Sequence, residues 1–307
     1  MEEAYHIPAL LTETVDGLDI RQGGRYVDCT FGGGGHSNEI LRRLDETGML
    51  FGLDQDEDAI RNYEKTQGEK AGLTLIEGNF RYLKNFMRYE NALPIDGIVA
   101  DLGVSFHDFD TMERGFSFRG EGNERLDMRM NQRSSLTAAD IVNERDEEEL
   151  SNLFYLYGEL KESRQLARRI VKWRNTNRIE TVGDFIAATG IDKADKKRMS
   201  RVFQALRIEV NDEMGALKDL LEQSVECLRE GGRLVILTYH SLEDRMVKNF
   251  MKSGNVEGKV EKDMFGNVIS PMNMLTKKPI EASEEEVERN PRSRSAKLRI
   301  AELRSKR

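Results

Sequence analysis

Four consecutive glycines separate an apolar segment from a predicted helix in the stretch VDCTFGGGGHSNEI, residues 27–40. A glycine-rich turn from a strand into a helix lets a ligand approach the backbone closely and presents free helix N–H groups. No Lys-Ser or Lys-Thr pair follows, which excludes a phosphate loop of the G-x-x-x-x-G-K-[ST] type. The dinucleotide fingerprint G-x-G-x-x-G fails at its third glycine, where Ser37 or Asn38 stands. The pattern therefore favours a nucleoside-bearing ligand without a pyrophosphate.

Two carboxylates lie where predicted strands end. Asp54 follows the glycines by about 20 residues, a position at which a carboxylate accepts hydrogen bonds from ribose hydroxyls. The alternative is that Asp54 only caps the helix that begins near Asp56. Asp101 ends the fourth predicted strand at the same edge, where its carboxylate can accept hydrogen bonds from a reacting group or from a bound cofactor. Both roles for Asp101 stay open.

A histidine ends the fifth predicted strand on the same expected edge. His240, in YHSLEDR, can accept a proton released by a reaction, since the ordinary pKa of histidine is near 6.5. The alternative is a structural histidine hydrogen-bonded to a neighbouring carboxylate, Glu243 or Asp244. The sequence does not separate these roles.

The elements that must position these residues alternate between strands and helices up to Asp101. Such alternation predicts parallel crossover units and an α/β sheet covered on both faces, with the strand ends Thr30, Asp54, Asn79 and Asp101 at one edge. From about residue 107 to 213 helical periodicity replaces the strand-like segments, which predicts an inserted helical domain. The α/β pattern then resumes. A final strand in SAKLRIAEL is expected to have one buried face, with Lys297 and Arg299 exposed.

Composition excludes several classes of protein. No apolar run approaches the roughly 18 residues of a membrane helix, and the N-terminus lacks the pattern of a secretory signal. Cys29 and Cys227 are the only cysteines, which excludes a disulfide framework and a Cys-rich zinc module and makes a reducing cytoplasm the expected location. The four histidines show no ligand-pair spacing, so we expect no metal site.

Basic residues are concentrated despite a net charge of −8. Between residues 289 and 307 eight basic residues accompany the single acid Glu302, and this tail is a candidate nucleic-acid contact. A second stripe lies on a predicted helix in the insertion, at Lys161, Arg164, Arg168 and Lys172. That stripe is either a solvated helix face or an RNA-facing surface.

Longer motifs carry a family resemblance that extends from His6 to Arg299. These motifs are HIPALLTETVDGL, DCTFGGGGHS, DGIVADLGVS, RGFSFR, LDMRM, FQALRIEVNDE, GGRLVILTYHSLEDR and NPRSRSAKLR. In this order they resemble the bacterial ribosomal RNA small subunit methyltransferase H family, also called the MraW family. The resemblance implies an α/β fold, a class I S-adenosylmethionine-dependent methyltransferase (Rossmann-like) sheet with an inserted all-helical domain. The expected divisions are 1–106 and 214–307 for the methyltransferase domain and 107–213 for the insertion.

The resemblance also implies an activity, a cofactor and a partner. The reaction would be methylation of the exocyclic N4 amine of a cytidine in the decoding region of 16S rRNA, in the small ribosomal subunit, with S-adenosylmethionine as cofactor. By motif, the cofactor contacts would be Gly34, Gly35, His36, Asp54, Phe80 and Asp101. Asp108 stands where family members often carry a further cofactor-contacting Gln, and Arg125 replaces the usual proline before LDMRM.

Candidate RNA contacts and rival functions complete the prediction. Arg292, Arg294 and Arg299 would contact phosphates, and Phe118 would stack on a base unless it packs in the core. One rival is a methyltransferase for a small molecule or a protein; another is a non-catalytic RNA-binding assembly factor. The sequence leaves the oligomeric state open, a homodimer being one alternative.

Overall fold

The computed structural model describes residues 8–103 and 114–305, which form two compact units. The first unit contains residues 8–103 and 215–305, and the second contains residues 114–214. The domain boundary predicted at residues 106 and 107 lies outside the described residues. The boundary predicted at residues 213 and 214 lies one residue before the break between the units.

The first part of the first unit alternates helices and strands. Its elements in chain order are α1 (Leu11–Gly17), β1 (Arg25–Asp28), α2 (Gly35–Arg43), β2 (Met49–Asp54), α3 (Glu57–Gln67), β3 (Leu73–Glu77), a 3₁₀ turn (Phe80–Tyr82), α4 (Leu83–Tyr89) and β4 (Ile95–Asp101). The α2 helix starts directly after the glycine loop, because positive-φ Gly34 breaks the extended chain at its N-cap.

The second unit is helical. Its helices are α5 (Ala138–Glu144), α6 (Glu147–Leu156), α7 (Ser163–Arg174), α8 (Val182–Thr189) and α9 (Lys196–Asn211). Helices α5, α6 and α8 begin with capping boxes at Thr137, Asp146 and Thr181. In each, the side chain of the cap accepts the backbone N–H of an acid three residues later, and the side chain of that acid accepts the backbone N–H of the cap. The acidic run ERDEEEL is therefore a helix start, as its composition indicates.

The chain then completes the first unit. The remaining elements are α10 (Glu213–Cys227), β5 (Leu228–Thr238), α11 (Ser241–Ser253), β6 (Met272–Met274), β7 (Ile280–Glu281), α12 (Glu284–Arg289), a second 3₁₀ turn (Pro291–Ser295) and β8 (Lys297–Leu303). No helix in the two described ranges is long and apolar enough to cross a membrane.

The described strands form one mixed sheet with the order β3-β2-β1-β4-β5-β8-β6, and β7 pairs with β8 beside this path. The first five strands pair in parallel, whereas β8 is antiparallel to its neighbours. Alternate residues supply two separate apolar cores: Val27 and Ile98 pack in one, Tyr26 and Val99 in the other. This α/β architecture, with the strand order reversing between β1 and β4, has the predicted Rossmann-like fold and places a ligand crevice at the strand ends.

The last strand differs from its predicted one-sided burial. In β8 both faces are covered, because Leu298 and Ile300 pack in one apolar core of the unit while Ala301 and Leu303 pack in the other. Arg299 is only 3% exposed instead of facing solvent. This packing on both faces, which a local pattern does not reveal, causes the difference.

Candidate active site

Part of the glycine loop, residues 32–35, lacks side chains because neighbouring residues of the protein leave no room for them. Gly34 has φ +76°, and a Cβ there would lie 2.5 Å from the Tyr63 ring. A Cβ on Gly35 would lie 2.3 Å from Cγ of Pro8. At Gly32, by contrast, a Cβ would meet only the Thr30 carbonyl oxygen, at 3.9 Å. The packing therefore requires glycine at residues 34 and 35, and the space for a ligand lies beside Gly32.

The start of α2 offers hydrogen-bond donors at this loop. Gly34 provides no side-chain cap, and the first bond into the helix runs from Asn38 N–H to the Gly34 carbonyl (2.8 Å). The N–H groups of the first turn precede that bond, so they have no partner within the helix. Together with the helix dipole, they can bind a carboxylate or another anionic group.

Asp54 holds the glycine loop from the end of β2. Its Oδ2 accepts the Gly32 N–H (2.7 Å), and its Oδ1 accepts the Asp56 N–H (2.9 Å). The residue that caps α3 is Asp56, whose side chain accepts the Asp58 N–H. The alternative of Asp54 as the helix cap is therefore wrong. A carboxylate has about four lone-pair positions, so one that fixes the loop can also accept from ribose hydroxyls.

Asp101 is anchored to β1 by a side chain. Its backbone N–H donates to Oγ1 of Thr30 at 2.6 Å, and Thr30 is itself held by donation of its N–H to Asp28. The Asp101 side chain accepts the Gly103 N–H on Oδ1 (3.3 Å). It remains 18% exposed. The strand end therefore presents a fixed carboxylate with part of its surface open.

Tyr239 completes the surroundings of Asp101. Its ring packs against Gly103, where a Cβ would lie 2.9 Å away. Burial, the neighbouring Asp101 charge and a hydrogen bond with that carboxylate raise the pKa of Tyr239 well above its usual value. The phenol therefore keeps its proton at neutral pH and lies next to the Asp101 carboxylate.

His36 lies on another side of the same carboxylate. Its imidazole is 6% exposed, with Nε2 3.3 Å from the Ala9 carbonyl oxygen and Nδ1 3.8 Å from Asp101 Oδ2. A carbonyl oxygen only accepts, so Nε2 carries the hydrogen that bonds to Ala9. In the neutral ring, Nδ1 is then a proton acceptor that faces Asp101. The segment with Ala9 is itself fixed, because Leu10 N–H donates to Glu286 Oε1 at 2.7 Å.

A second, fully buried carboxylate lies beneath the loop. Asp28 accepts the Ser37 hydroxyl on Oδ2 (2.7 Å) and the Thr30 N–H on Oδ1 (3.1 Å), and it is 1% exposed. Burial raises the pKa of Asp28, opposed in part by the nearby His36 ring. Asp28 therefore ties the start of α2 to Thr30, and through Thr30 to Asp101.

His240 occupies a structural position at the end of β5. It caps α11, with Nδ1 accepting the Glu243 N–H (3.4 Å) and Nε2 lying 3.0 Å from Glu243 Oε1. Glu243 in turn accepts the Tyr239 N–H at 2.9 Å. Both ring nitrogens thus face Glu243, which supports the structural alternative; a catalytic role for His240 stays a prediction.

Comparison with known proteins identifies the family. The family model described as the MraW methylase family matches residues 3–304. The chain belongs to this family. A ribosomal RNA small subunit methyltransferase H from Phocaeicola vulgatus is 59% identical over 307 residues, covering 99% of each chain, and the protein of that name from Bacteroides thetaiotaomicron is 59% identical over 305 residues, covering 98% of each. A solved rRNA methylase from Streptococcus thermophilus covers 98% of this chain and 99% of its own, with 12% identity and a TM-score of 0.41.

The structure brings most of this methylase's predicted cofactor residues to one edge. Gly34, Gly35 and His36 start α2, and Asp54 holds the loop beside them. Phe80 begins the 3₁₀ turn after β3, half-buried against the core of the first unit. Asp108 lies outside the described residues. The cofactor contacts themselves stay predictions.

The predicted RNA contacts have different environments. Arg292 and Arg294 are exposed on the second 3₁₀ turn. Arg299 is enclosed and pairs with Asp244 through two bonds of 2.6 and 3.1 Å. Its predicted phosphate contact disagrees with this position, because a buried paired guanidinium is not presented to a ligand. Phe118 packs edge-on against Phe203 with ring centres 5.4 Å apart, which supports the core alternative.

Four residues of this site were missed by the sequence prediction. Thr30 and Ala9 bond to Asp101 and His36, Tyr239 lies beside Asp101, and Asp28 bonds to Thr30 and Ser37 and so holds the anchor. Tyr239 precedes His240 directly and Asp28 ends β1 two residues before Thr30, and such positions at strand ends are a usable signal. The role of Ala9 has no local signal, since it depends on packing of the N-terminal segment.

Proposed function

We propose that this methylase transfers a methyl group to the exocyclic N4 amine of a cytidine in the decoding region of 16S rRNA, in the small ribosomal subunit. At a coarser level it is an S-adenosylmethionine-dependent rRNA methyltransferase, in keeping with its family and with relatives 59% identical. The observation that supports the finer proposal best is the anchored, partly open Asp101 carboxylate.

The residues at the strand ends fit the cofactor. The first-turn N–H groups of α2 can donate hydrogen bonds to the carboxylate of the cofactor, and Asp54 can accept hydrogen bonds from its ribose hydroxyls. Phe80 follows β3, the strand next to β2, and would contact the adenine. S-adenosylmethionine supplies an electrophilic methyl group on a sulfonium. The bare loop at Gly32 leaves room for this ligand beside Asp54.

The chemical difficulty lies in the nucleophile. The lone pair of a cytosine amine is delocalised into the ring, so the amine attacks poorly. A hydrogen bond from N4–H to Asp101 favours a pyramidal nitrogen with its lone pair directed at the methyl carbon. Orientation of the two reactants can provide roughly 7–11 kcal/mol of the acceleration. Asp101 would thus act by accepting a hydrogen bond from the amine and positioning it, without a covalent enzyme intermediate.

The proton released from nitrogen also needs an acceptor. Methyl transfer to the amine would release one N4 proton, which Asp101 would accept. His36 Nδ1 lies 3.8 Å from Asp101 Oδ2, so it can accept this proton once the two groups close to hydrogen-bond distance, while Nε2 keeps its bond to Ala9. The protonated phenol of Tyr239 lies beside the same carboxylate and adds no second negative charge to the site. The target base must be unpaired or splayed out to reach this edge.

The test uses small ribosomal subunits from cells that lack the enzyme. Purified protein and labelled S-adenosylmethionine should give one N4-methylcytidine, located by nuclease digestion and mass spectrometry. Asp101→Asn keeps the shape but weakens the acceptor, so we expect turnover to fall by about 100-fold or more while cofactor affinity changes little. Label on another base or on protein would refute the substrate proposal, and an active Asp101→Asn variant would refute the assigned role.

A further inference from the structure

The second unit has an uneven distribution of charge. Residues 161–178 contain seven basic residues and one acid, Glu162, although the whole chain is acidic. Most of this segment is α7, which buries Leu166, Ala167 and Ile170 in the core of the second unit. The opposite face is exposed and carries Arg164, Arg168 and Lys172.

Like charges along this face are only weakly neutralised by the protein. The three exposed cations are four residues apart and span about 12 Å of helix axis. Neighbours of like charge at this spacing destabilise a helix. Among the described residues Arg168 pairs with Glu147 at 3.4 Å, while no carboxylate lies within ion-pair distance of Arg164 or Lys172. An external anion would relieve this repulsion.

The surface continues onto the start of α9. Glu162, the single acid of the segment, is already paired with Arg198 of α9 at 2.8 Å. This pair places the exposed Lys196 and Lys197 next to the beginning of α7. We define the α7–α9 basic surface as Lys161, Arg164, Arg168, Lys172, Lys196 and Lys197, all of them exposed.

We infer that the α7–α9 basic surface binds the phosphate backbone of the substrate rRNA. The inference rests on the proposed function and names a surface through which the helical unit would engage its substrate. The six side chains that define it are all exposed cations, which suits contacts with phosphates. Such contacts fix the position of RNA without reading its sequence.

Two double variants test the inference against a matched control. Arg164→Gln with Lys172→Gln, and Lys196→Gln with Lys197→Gln, each remove two charges from the surface. Lys248→Gln with Lys252→Gln removes two exposed charges from α11 of the first unit. All three proteins should keep wild-type cofactor affinity and melt no lower than wild type, because the substituted side chains are exposed and the α7 variant also loses like-charge repulsion.

The readout is affinity for purified 16S rRNA measured at several salt concentrations. Each surface double variant should lose about tenfold in affinity at 0.1 M salt and lower the slope of log K against log salt by about 1.5. The control should do neither. If both surface variants behave like the control while wild-type protein binds and methylates rRNA, the surface inference is overturned and the proposed function survives.

Two other outcomes are also decisive. A wild-type protein that neither binds nor methylates rRNA overturns the proposed function and this inference with it. Variants that lose affinity for intact small subunits but bind naked rRNA normally would show that the surface faces a ribosomal protein, which overturns the RNA assignment.

Discussion

Replacing Thr30 by Val isolates the contact that fixes the carboxylate of the candidate site. Val has nearly the same shape but no acceptor, so the Asp101 N–H loses its 2.6 Å bond to Thr30 Oγ1. A backbone donor left without a partner costs about 1–2 kcal/mol at a half-buried position. In a unit of about 200 residues, each kcal/mol shifts Tm by roughly 2–4 °C, so we expect Tm to fall by about 2–8 °C.

The effect on catalysis should be larger than the effect on stability. With its anchor lost, the end of β4 can shift, and a displacement near 1 Å costs up to about 100-fold in rate. We therefore expect kcat for small-subunit methylation to fall about 10- to 100-fold, with a smaller change in cofactor Kd. Thr30→Ser keeps the hydroxyl and is the matched control. Equal kcat and Tm in Thr30→Val and Thr30→Ser would refute the anchoring role.

Three further predictions concern buried polar groups. Burial raises the pKa of Asp28 above its ordinary 3.8, so the folded protein keeps this proton at pH values where the unfolded chain has lost it. The free energy of unfolding of the wild-type protein, compared with that of Asp28→Asn, should therefore fall as the pH rises from 3.8 through the raised pKa. Urea denaturation of both proteins at several pH values measures this, and a constant difference would contradict it. Arg299→Met should lose about 3 kcal/mol of stability by leaving Asp244 unpaired, with rRNA affinity unchanged; a normal stability with weakened rRNA binding would restore the phosphate role. His240→Asn should preserve the α11 cap and the pH profile of kcat, whereas His240→Ala should lose about 1 kcal/mol; a profile that changes in His240→Asn would indicate a catalytic histidine.

The sheet could be predicted because it depends on a pattern that is local in the chain. Short apolar segments that alternate with helical patterns can bury both faces only as parallel crossover units, and the structure has this arrangement from β1 to β5. The same reasoning placed Thr30, Asp54 and Asp101 at one edge, since the carboxyl ends of parallel strands meet there. The prediction that Arg299 is exposed was wrong, because α11 packs over that face of β8 and Asp244 pairs with the guanidinium, a contact between residues 55 positions apart.

The sequence by itself indicated the family, through the resemblance of its motifs, and determined the alternation of elements and the chemical types of residue at the strand ends, because the last two are local properties of spacing and composition. Only the tertiary structure decided how the site is held. Pro8 and Tyr63 pack against the glycine loop, Thr30 anchors Asp101, and Ala9 orients His36. Each of these contacts joins residues far apart in the chain, and burial and hydrogen-bond partners at such distances are set by packing.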